Sequence, residues 1–295
     1  TTLFRSAREK LKLANALFKN RKKHLKPHER SAILRRFAAL VEKEKDEFAM
    51  RIASEGGKPL TDAKVEVTRA LDGIFLAIGE FERVGFGREI PMGLTKATEN
   101  YRAVTVMEPV GVVFAISAFN HPLNLLVHQV MPAVMAGCPV ILKPALAVPL
   151  TAVRFVELLS EAGLPEGWCQ LLLCETEVTA SIAAGSGIHF LSFIGSAKVG
   201  WMLRSKLAPG VRYSLEHGGA APVIVDETVD VDAVVPSIVK GAYYHSGQVC
   251  VSVQRIFVHE AIEKKFTEAL VCKVKQLVTG DPTKETKIGR ASCRE

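Results

Sequence analysis

Two short glycine-marked segments hold the residues best suited to chemistry, Leu215-Glu216-His217-Gly218-Gly219 and Gly247-Gln248-Val249-Cys250. A cysteine attacks an electrophile as its thiolate, and a nearby carboxylate can act as general base on the thiol or on the water that resolves a thioester. Each residue alone has a plainer role, Cys250 as a small core side chain and Glu216 as a solvated charge. The case for chemistry rests on what surrounds them.

Three further turns follow short apolar runs. Ala118-Phe119-Asn120-His121-Pro122 comes after residues 110–117, Lys143-Pro144-Ala145 after 139–142, and Ile194-Gly195-Ser196-Ala197-Lys198-Val199-Gly200 after 189–193. Asn and Pro are ordinary turn formers, and a lysine at a strand end is usually solvated. Gly195 would let backbone approach a ligand at a helix N-terminus, where free N–H groups and a partial positive charge favour phosphate. The chain has no G-x-G-x-x-G, so the ordinary dinucleotide fingerprint is absent.

Taken in order, L-E-x-G-G, G-Q-x-C followed by Arg255, and these three turns resemble the motifs of the aldehyde dehydrogenase superfamily, from about residue 30 to residue 289. The resemblance implies Cys250 as nucleophile, Glu216 as general base and Asn120 as the amide that, with the nucleophile's backbone N–H, holds an oxyanion. A neutral donor suits that task because it leaves the thiolate charged. Ser117, Lys143, Ala145, Gly195, Ser196 and Gly200 are the implied cofactor-binding positions, with no metal. The implied reaction is oxidation of an aldehyde to a carboxylate through a cysteine thiohemiacetal and thioester. NAD is the expected cofactor and NADP the alternative, since Leu146 stands where many relatives carry a glutamate that disfavours a 2′-phosphate.

Two departures bear on tuning: Gln129 stands where many relatives carry a lysine near the base, and His217 replaces a common Leu. A coenzyme-A-acylating relative is the rival within enzymes, and Glu216 favours hydrolysis because such relatives commonly lack it. Residues 117–129 look more like relatives acting on short polar aldehydes, phosphonoacetaldehyde among them, than on long-chain ones. His121 and His128 would offer donors to such a substrate, or else face the helix interior or solvent. The spacing of His121, His128 and His217 matches no metal-ligand pattern.

These motifs need a scaffold. Ile33, Leu34, Phe37, Leu40 and Val41 recur at helical spacing, predicting an amphipathic helix over residues 27–50 that Glu55-Gly56-Gly57-Lys58-Pro59 ends. A second helix is expected over 61–83, and the Glu-x-Gly-Lys-Pro turn carries no derivable chemistry. Beyond residue 102, apolar runs at 110–117, 139–142, 170–173, 189–193 and 222–225 alternate with helical patterns at 123–136, 151–162, 178–184 and 199–207. This grammar reads as a parallel sheet covered on both faces, with ligands at the strands' carboxyl ends. The expected fold class is α/β: an aldehyde dehydrogenase-type variant Rossmann domain, with an N-terminal helical scaffold, over residues 7–216, and the start of an incomplete α/β catalytic domain over 217–289.

Thr1-Thr2-Leu3-Phe4-Arg5-Ser6 back-translates to DNA whose reverse complement, in another frame, encodes Ile288-Gly289-Arg290-Ala291-Ser292. Residues 1–6 and 290–295 are therefore expected to derive from one inverted DNA element resembling a sequencing adapter, and the natural residues to be an internal piece. Without Arg5, Arg290, Arg294 and Glu295 the net charge of +7 loses two and becomes +5. Lys19, Arg21, Lys22, Lys23 and Lys26 cluster without interleaved aromatics or a binding motif, which argues against nucleic acid. With Cys293 set aside, the five remaining cysteines are scattered, pointing to a reducing, cytoplasmic setting rather than disulfides or zinc. No apolar run reaches a membrane span. The expected partner is a small-molecule aldehyde, with neither nucleic acid nor membrane. The parent is expected to be a homo-oligomer whose oligomerising segment this piece lacks, and the piece alone to bind nucleotide without turnover.

Overall fold

The computed structural model describes residues 2–284. Four helices come first: α1 (Thr2–Lys19), α2 (Pro27–Lys43), α3 (Lys45–Gly56) and α4 (Leu60–Val84). A two-stranded antiparallel ribbon of β1 (Glu89–Ile90) and β2 (Ala103–Val104) leads into β3 (Val113–Ile116), α5 (Asn124–Ala136), β4 (Val140–Lys143), α6 (Pro149–Glu161), β5 (Cys169–Leu171), α7 (Thr176–Ala184), β6 (Phe190–Gly195), α8 (Ala197–Lys206) and β7 (Arg212–His217). The chain continues through β8 (Val223–Val225), α9 (Val231–Tyr243), β9 (Ile256–Val258) and α10 (Glu263–Lys275). Residues 285–295, which include the expected C-terminal foreign stretch, lie outside the described residues. Residues 2–6 form the start of α1, whose buried side chains Ala7 and Ala14 follow them.

Strands β3 to β7 form one parallel sheet in the order β5-β4-β3-β6-β7. Because a strand's side chains alternate in direction, β3 feeds two cores. Val113 and Ala115 join α2 to α6 on one face, while Phe114 and Ile116 join α1, α7 and α8 on the other. Burial on both faces explains why β3 and β4 read as continuous apolar runs. The pairs β3–β4 and β3–β6 make β3 the switch point of the sheet, the place where a crevice opens beyond the carboxyl ends. A third cluster, built from β8, β9, α9 and α10, includes Val225, Val235, Val239 and Phe266.

The helix expected over 27–50 is two helices, broken at Glu44 (φ −100°, ψ 17°). The Lys-Glu-Lys-Asp-Glu run offers no apolar side chain to continue the stripe, and Glu44 instead receives Arg154 of α6 at 2.5 and 2.9 Å. The new direction buries Phe48, Ala49, Ile52 and Ala53. Gly57 then closes α3 in the left-handed region (φ 69°), with its N–H donating to Ala53 O. The Glu-Gly-Gly-Lys-Pro turn is structural as well: Glu55 caps α6 by accepting from the Leu150 and Thr151 N–H groups at 2.8 and 2.9 Å.

Phe37 of α2 meets Phe155 of α6 edge to face, with ring centroids 5.1 Å apart and both side chains fully buried. Phe37→Ala is expected to lower the unfolding free energy by about 3–5 kcal/mol, read by urea titration. Leu76→Ala, at a side chain 71% exposed on α4, should change it by less than about 0.5 kcal/mol. Comparable losses at the two positions would contradict this division of core and surface.

Candidate functional site

A cleft of about 1350 Å³ opens at the carboxyl ends of β3, β4 and β6. Its wall includes Ser117 and Asn120 after β3, Lys143, Ala145 and Leu146 at and after β4, Gly195 and Ser196 at the end of β6, Glu216 on β7, and Cys250. Eight of the nine residues singled out in the sequence thus share one cavity. Gly200 lies behind the wall, buried on the inward face of α8, where an added Cβ would collide with His217 Nε2. Its lack of a side chain makes room for that ring.

At one end of the cleft are groups suited to a polar, phosphate-bearing ligand. Ser196 caps α8, accepting from Val199 N–H at 3.4 Å, and the helix N-terminus faces the cavity side of β6. Ser117 donates its N–H to Lys143 O at 3.0 Å, while its Oγ is buried without a partner. The Lys143 ammonium has no hydrogen-bond partner among the described residues; burial pushes its pKa down, opposed by Cys174 and Glu175. A partnerless hydroxyl, a partnerless ammonium and a helix N-terminus fit a dinucleotide's ribose hydroxyls and phosphates.

At the other end, Cys250 presents an exposed thiol. Gly219 N–H donates to Cys250 O at 3.2 Å, and Gln254 N–H to Ala220 O at 3.1 Å, so the segment carrying Glu216 is laced to the segment carrying the thiol. Asn120 reaches the same loop from β3: its Nδ2 donates to Gln248 O at 2.9 Å. A carboxamide has two N–H bonds, so one donor is spent on the loop and one is left for a ligand. His245 and Ser246, just before this loop, hold positive φ angles of 48° and 56°. Such residues cost about 1–3 kcal/mol each and persist where their surroundings over-determine them.

The surroundings include residues the motif reading left without a role. Lys58, from the Glu-Gly-Gly-Lys-Pro turn, is buried and donates to Glu66 Oε2 of α4 at 2.5 Å, to Asn120 O at 3.0 Å and to His121 Nδ1. Glu66 Oε1 in turn accepts from the Leu123 and Asn124 N–H groups at 2.9 and 3.0 Å, capping α5. The available signal was a period: Asp62, Glu66 and Arg69 are spaced as one helix face, polar where a scaffold helix should be bland. Gln129 donates from Nε2 to Ile116 O, Ser192 O and Ser192 Oγ at 3.0–3.1 Å, tying α5 to β3 and β6. His128 lines the cleft, His121 is held by Lys58, and His217 packs edge-on to Trp201 and Phe193.

His121 and His245 are both pushed down to about 3, first by burial and then by Lys58. As pH falls through about 6.5 the unfolded chain gains these protons, while the folded chain gains them only near 3. Stability present above pH 6.5 is therefore lost on the way down, by about 1.4 kcal/mol per pH unit for each ring. Urea titrations between pH 7 and pH 5 should show this decline, with a shallower slope in His245→Gln; equal slopes would contradict it.

The model of the aldehyde dehydrogenase family matches residues 5–292. A 3-sulfolactaldehyde dehydrogenase from Priestia aryabhattai is 38% identical over 266 residues, covering 89% of this chain and 55% of that protein. A glyceraldehyde-3-phosphate dehydrogenase from Methanocaldococcus jannaschii, solved with NADP, superposes with a TM-score of 0.90 at 32% identity, covering 97% of this chain and 62% of that one. A succinate-semialdehyde dehydrogenase from Burkholderia pseudomallei gives 0.90 at 34% identity, over 97% and 59%. The chain spans about half the length of the curated relatives it matches. On the family match and on the shared parallel-sheet architecture, this chain belongs to the aldehyde dehydrogenase family.

Proposed function

We propose that this protein oxidises a short aldehyde carrying a distal anionic group to the carboxylate, using NAD or NADP, with residues 7–216 as the scaffold and cofactor-binding part and 217–289 as the opening of a catalytic part. One observation carries the reading: Cys250, Glu216 and the Asn120 amide line a single cleft, and Asn120 is tethered to the loop that bears the thiol.

Each residue then has a task. The Cys250 thiolate adds to the carbonyl carbon, and the free Asn120 N–H with the Cys250 backbone N–H donates to the oxygen as it gains charge. The nicotinamide cofactor, when bound, accepts the hydride that leaves the substrate carbon. Glu216 takes a proton from the water that attacks the resulting thioester. Lys143, Ser117 and the N-terminus of α8 hold the cofactor's hydroxyl and phosphate groups. Glu216 also sets hydrolysis above transfer to coenzyme A.

The anionic substrate is supported by Arg69, which opens into the cleft beside His121 and His128 with no paired carboxylate among the described residues. A guanidinium without a counter-ion suits a carboxylate, phosphate or sulfonate. The three relatives named above are named for substrates bearing a sulfonate, a phosphate and a carboxylate. For the cofactor, Leu146 on the cleft wall places no charge against a 2′-phosphate, and one neighbour was solved with NADP.

No helix among the described residues is long and apolar enough to cross a membrane. A reducing, cytoplasmic setting and a homo-oligomeric parent complete the reading, the first supported by the five cysteines among the described residues, all free. A second reading, nucleotide binding without turnover by the polypeptide as given, is favoured by the apolar surface on β8 and β9, where Ile224 is 83% and Phe257 56% exposed.

The test is aldehyde-dependent formation of reduced cofactor by the parent enzyme, with acidic and neutral aldehydes of equal length, with and without coenzyme A. Cys250→Ala should lower the rate by about three orders of magnitude or more. Arg69→Met should raise KM for the acidic aldehyde about 10- to 100-fold and leave the neutral one nearly unchanged. Strict dependence on coenzyme A, or efficiency that climbs with alkyl length, would refute the assignment. In a separate binding titration, Leu146→Glu should weaken NADP relative to NAD by about tenfold or more; an unchanged ratio would remove position 146 from cofactor choice.

A further inference from the structure

Asp62, Glu66 and Arg69 lie one turn apart along α4 and so share a face. Arg69 faces the cleft. The other two have no part in the proposed reaction, yet each grips a different side of it. Glu66 holds the start of α5 through the Leu123 and Asn124 N–H groups and, through Lys58, the carbonyl of Asn120. Asp62 lies beside the head of the loop that leads to Cys250, where the His245 backbone N–H opposes the upward push that burial gives its pKa. Between these grips Asn120 Nδ2 donates to Gln248 O, and Gln248 N–H donates to His245 O at 3.1 Å. The contacts run from α4 through Asn120, one of the two donors proposed for the oxyanion, into the loop that leads to Cys250, whose head lies back beside Asp62 of α4.

We infer that this face of α4, together with Lys58, is a positioning bracket that sets the Asn120 amide against the Cys250 loop from a single helix. The inference rests on the proposed reaction for its purpose, though the bracket itself is a matter of contacts.

Docking of α4 does not need these side chains. Ala63, Val67, Ala70, Ile74 and Ile78 already seat the helix in the main core. A buried ion pair is an expensive way to fill space, since an apolar pair of similar volume often serves as well or better. The Lys58 ammonium has three donors and three acceptors around it, so its position is determined from three directions. At the other grip, His245 and Ser246 hold left-handed conformations that a loop adopts only when its ends are fixed. Both costs fall on the two segments whose relative placement governs addition to a carbonyl, where a displacement of about 1 Å can cost a hundredfold in rate.

Two measurements test the bracket. The double replacement Lys58→Met with Glu66→Gln leaves no unpaired buried charge, and the amide oxygen at position 66 can still accept from Leu123 and Asn124; Asp62→Ala acts from the opposite grip. Amide hydrogen exchange on the whole chain requires no reaction. The double replacement should speed exchange at residues 245–250 as well as at 119–124, and Asp62→Ala should do the converse; exchange that changes only beside the substituted residue would overturn the bracket. In the parent enzyme, the double replacement should slow the first turnover about 10- to 100-fold, while alkylation of Cys250 by iodoacetamide, which needs no oxyanion donor, and cofactor affinity change by less than about threefold. In an Asn120→Ala background the same replacement should cost less than about threefold, because its effect passes through Asn120. An equal loss in both backgrounds, or an equal loss in alkylation, would overturn the positioning role. A wild-type enzyme that forms no reduced cofactor would count against the proposed reaction, and the exchange result would still decide the bracket.

Discussion

The buried contact between Lys58 and Glu66, with both side chains 1% exposed and 2.5 Å apart, is the constraint on which the site depends. Desolvating two charges costs several kcal/mol per ion, and their attraction repays it only when the remaining donors and acceptors are satisfied. Here they are: the ammonium donates to Glu66, Asn120 O and His121, and the carboxylate accepts from the N-terminus of α5. Removing one partner would strand the other, at a cost of about 3–5 kcal/mol. The arrangement therefore has one low-energy form, and that form fixes where the chain leaves β3.

From that exit the cleft follows. The parallel sheet delivers every strand's carboxyl end to the same edge, so the residues after β3, β4 and β6 meet without long loops. The pairing of 219–220 with 250–254 brings the carboxylate of β7 and the thiol to that edge from the far side of the sheet. The groups proposed to hold a dinucleotide include the Lys143 ammonium and the Ser117 hydroxyl, which have no partner among the described residues, and the proposed nucleophile, Cys250, lines the same cleft. Arg69, His121 and His128 line the same cleft, and the Arg69 guanidinium, with no paired carboxylate among the described residues, is the group on which the proposed anionic substrate rests.

Much of this was legible in the sequence because the relevant signals are local. Three of the motif turns follow apolar runs and the other two motifs are marked by glycines, and the runs that form β3 and β4 are apolar on both faces because both faces are buried. What escaped was not local. β7, Arg-Tyr-Ser-Leu-Glu-His, is an edge strand with a mostly exposed pattern, so no apolar run announced it. The break at Glu44 depends on Arg154, more than a hundred residues away, and the importance of Lys58 depends on a turn 62 residues on. Gly200 closes the Ile194–Gly200 motif in the sequence, and only the fold shows that it stands behind the cavity wall, where a side chain would meet the His217 ring. The first helix is hard to read in the sequence because basic residues surround the spacing of Leu11, Ala14 and Phe18 that packs it against the sheet.

The most direct measurement is the fate of the thiol during reaction. In the parent enzyme carrying Glu216→Gln, where water attack on the thioester is slowed, aldehyde and oxidised cofactor should leave an acyl group on one cysteine, located by peptide mass spectrometry. The account predicts that the group is on Cys250 and that it is released on adding hydroxylamine. An acyl group on Cys138, Cys169, Cys174 or Cys272, or aldehyde oxidation that proceeds with no acylated cysteine at all, would contradict it.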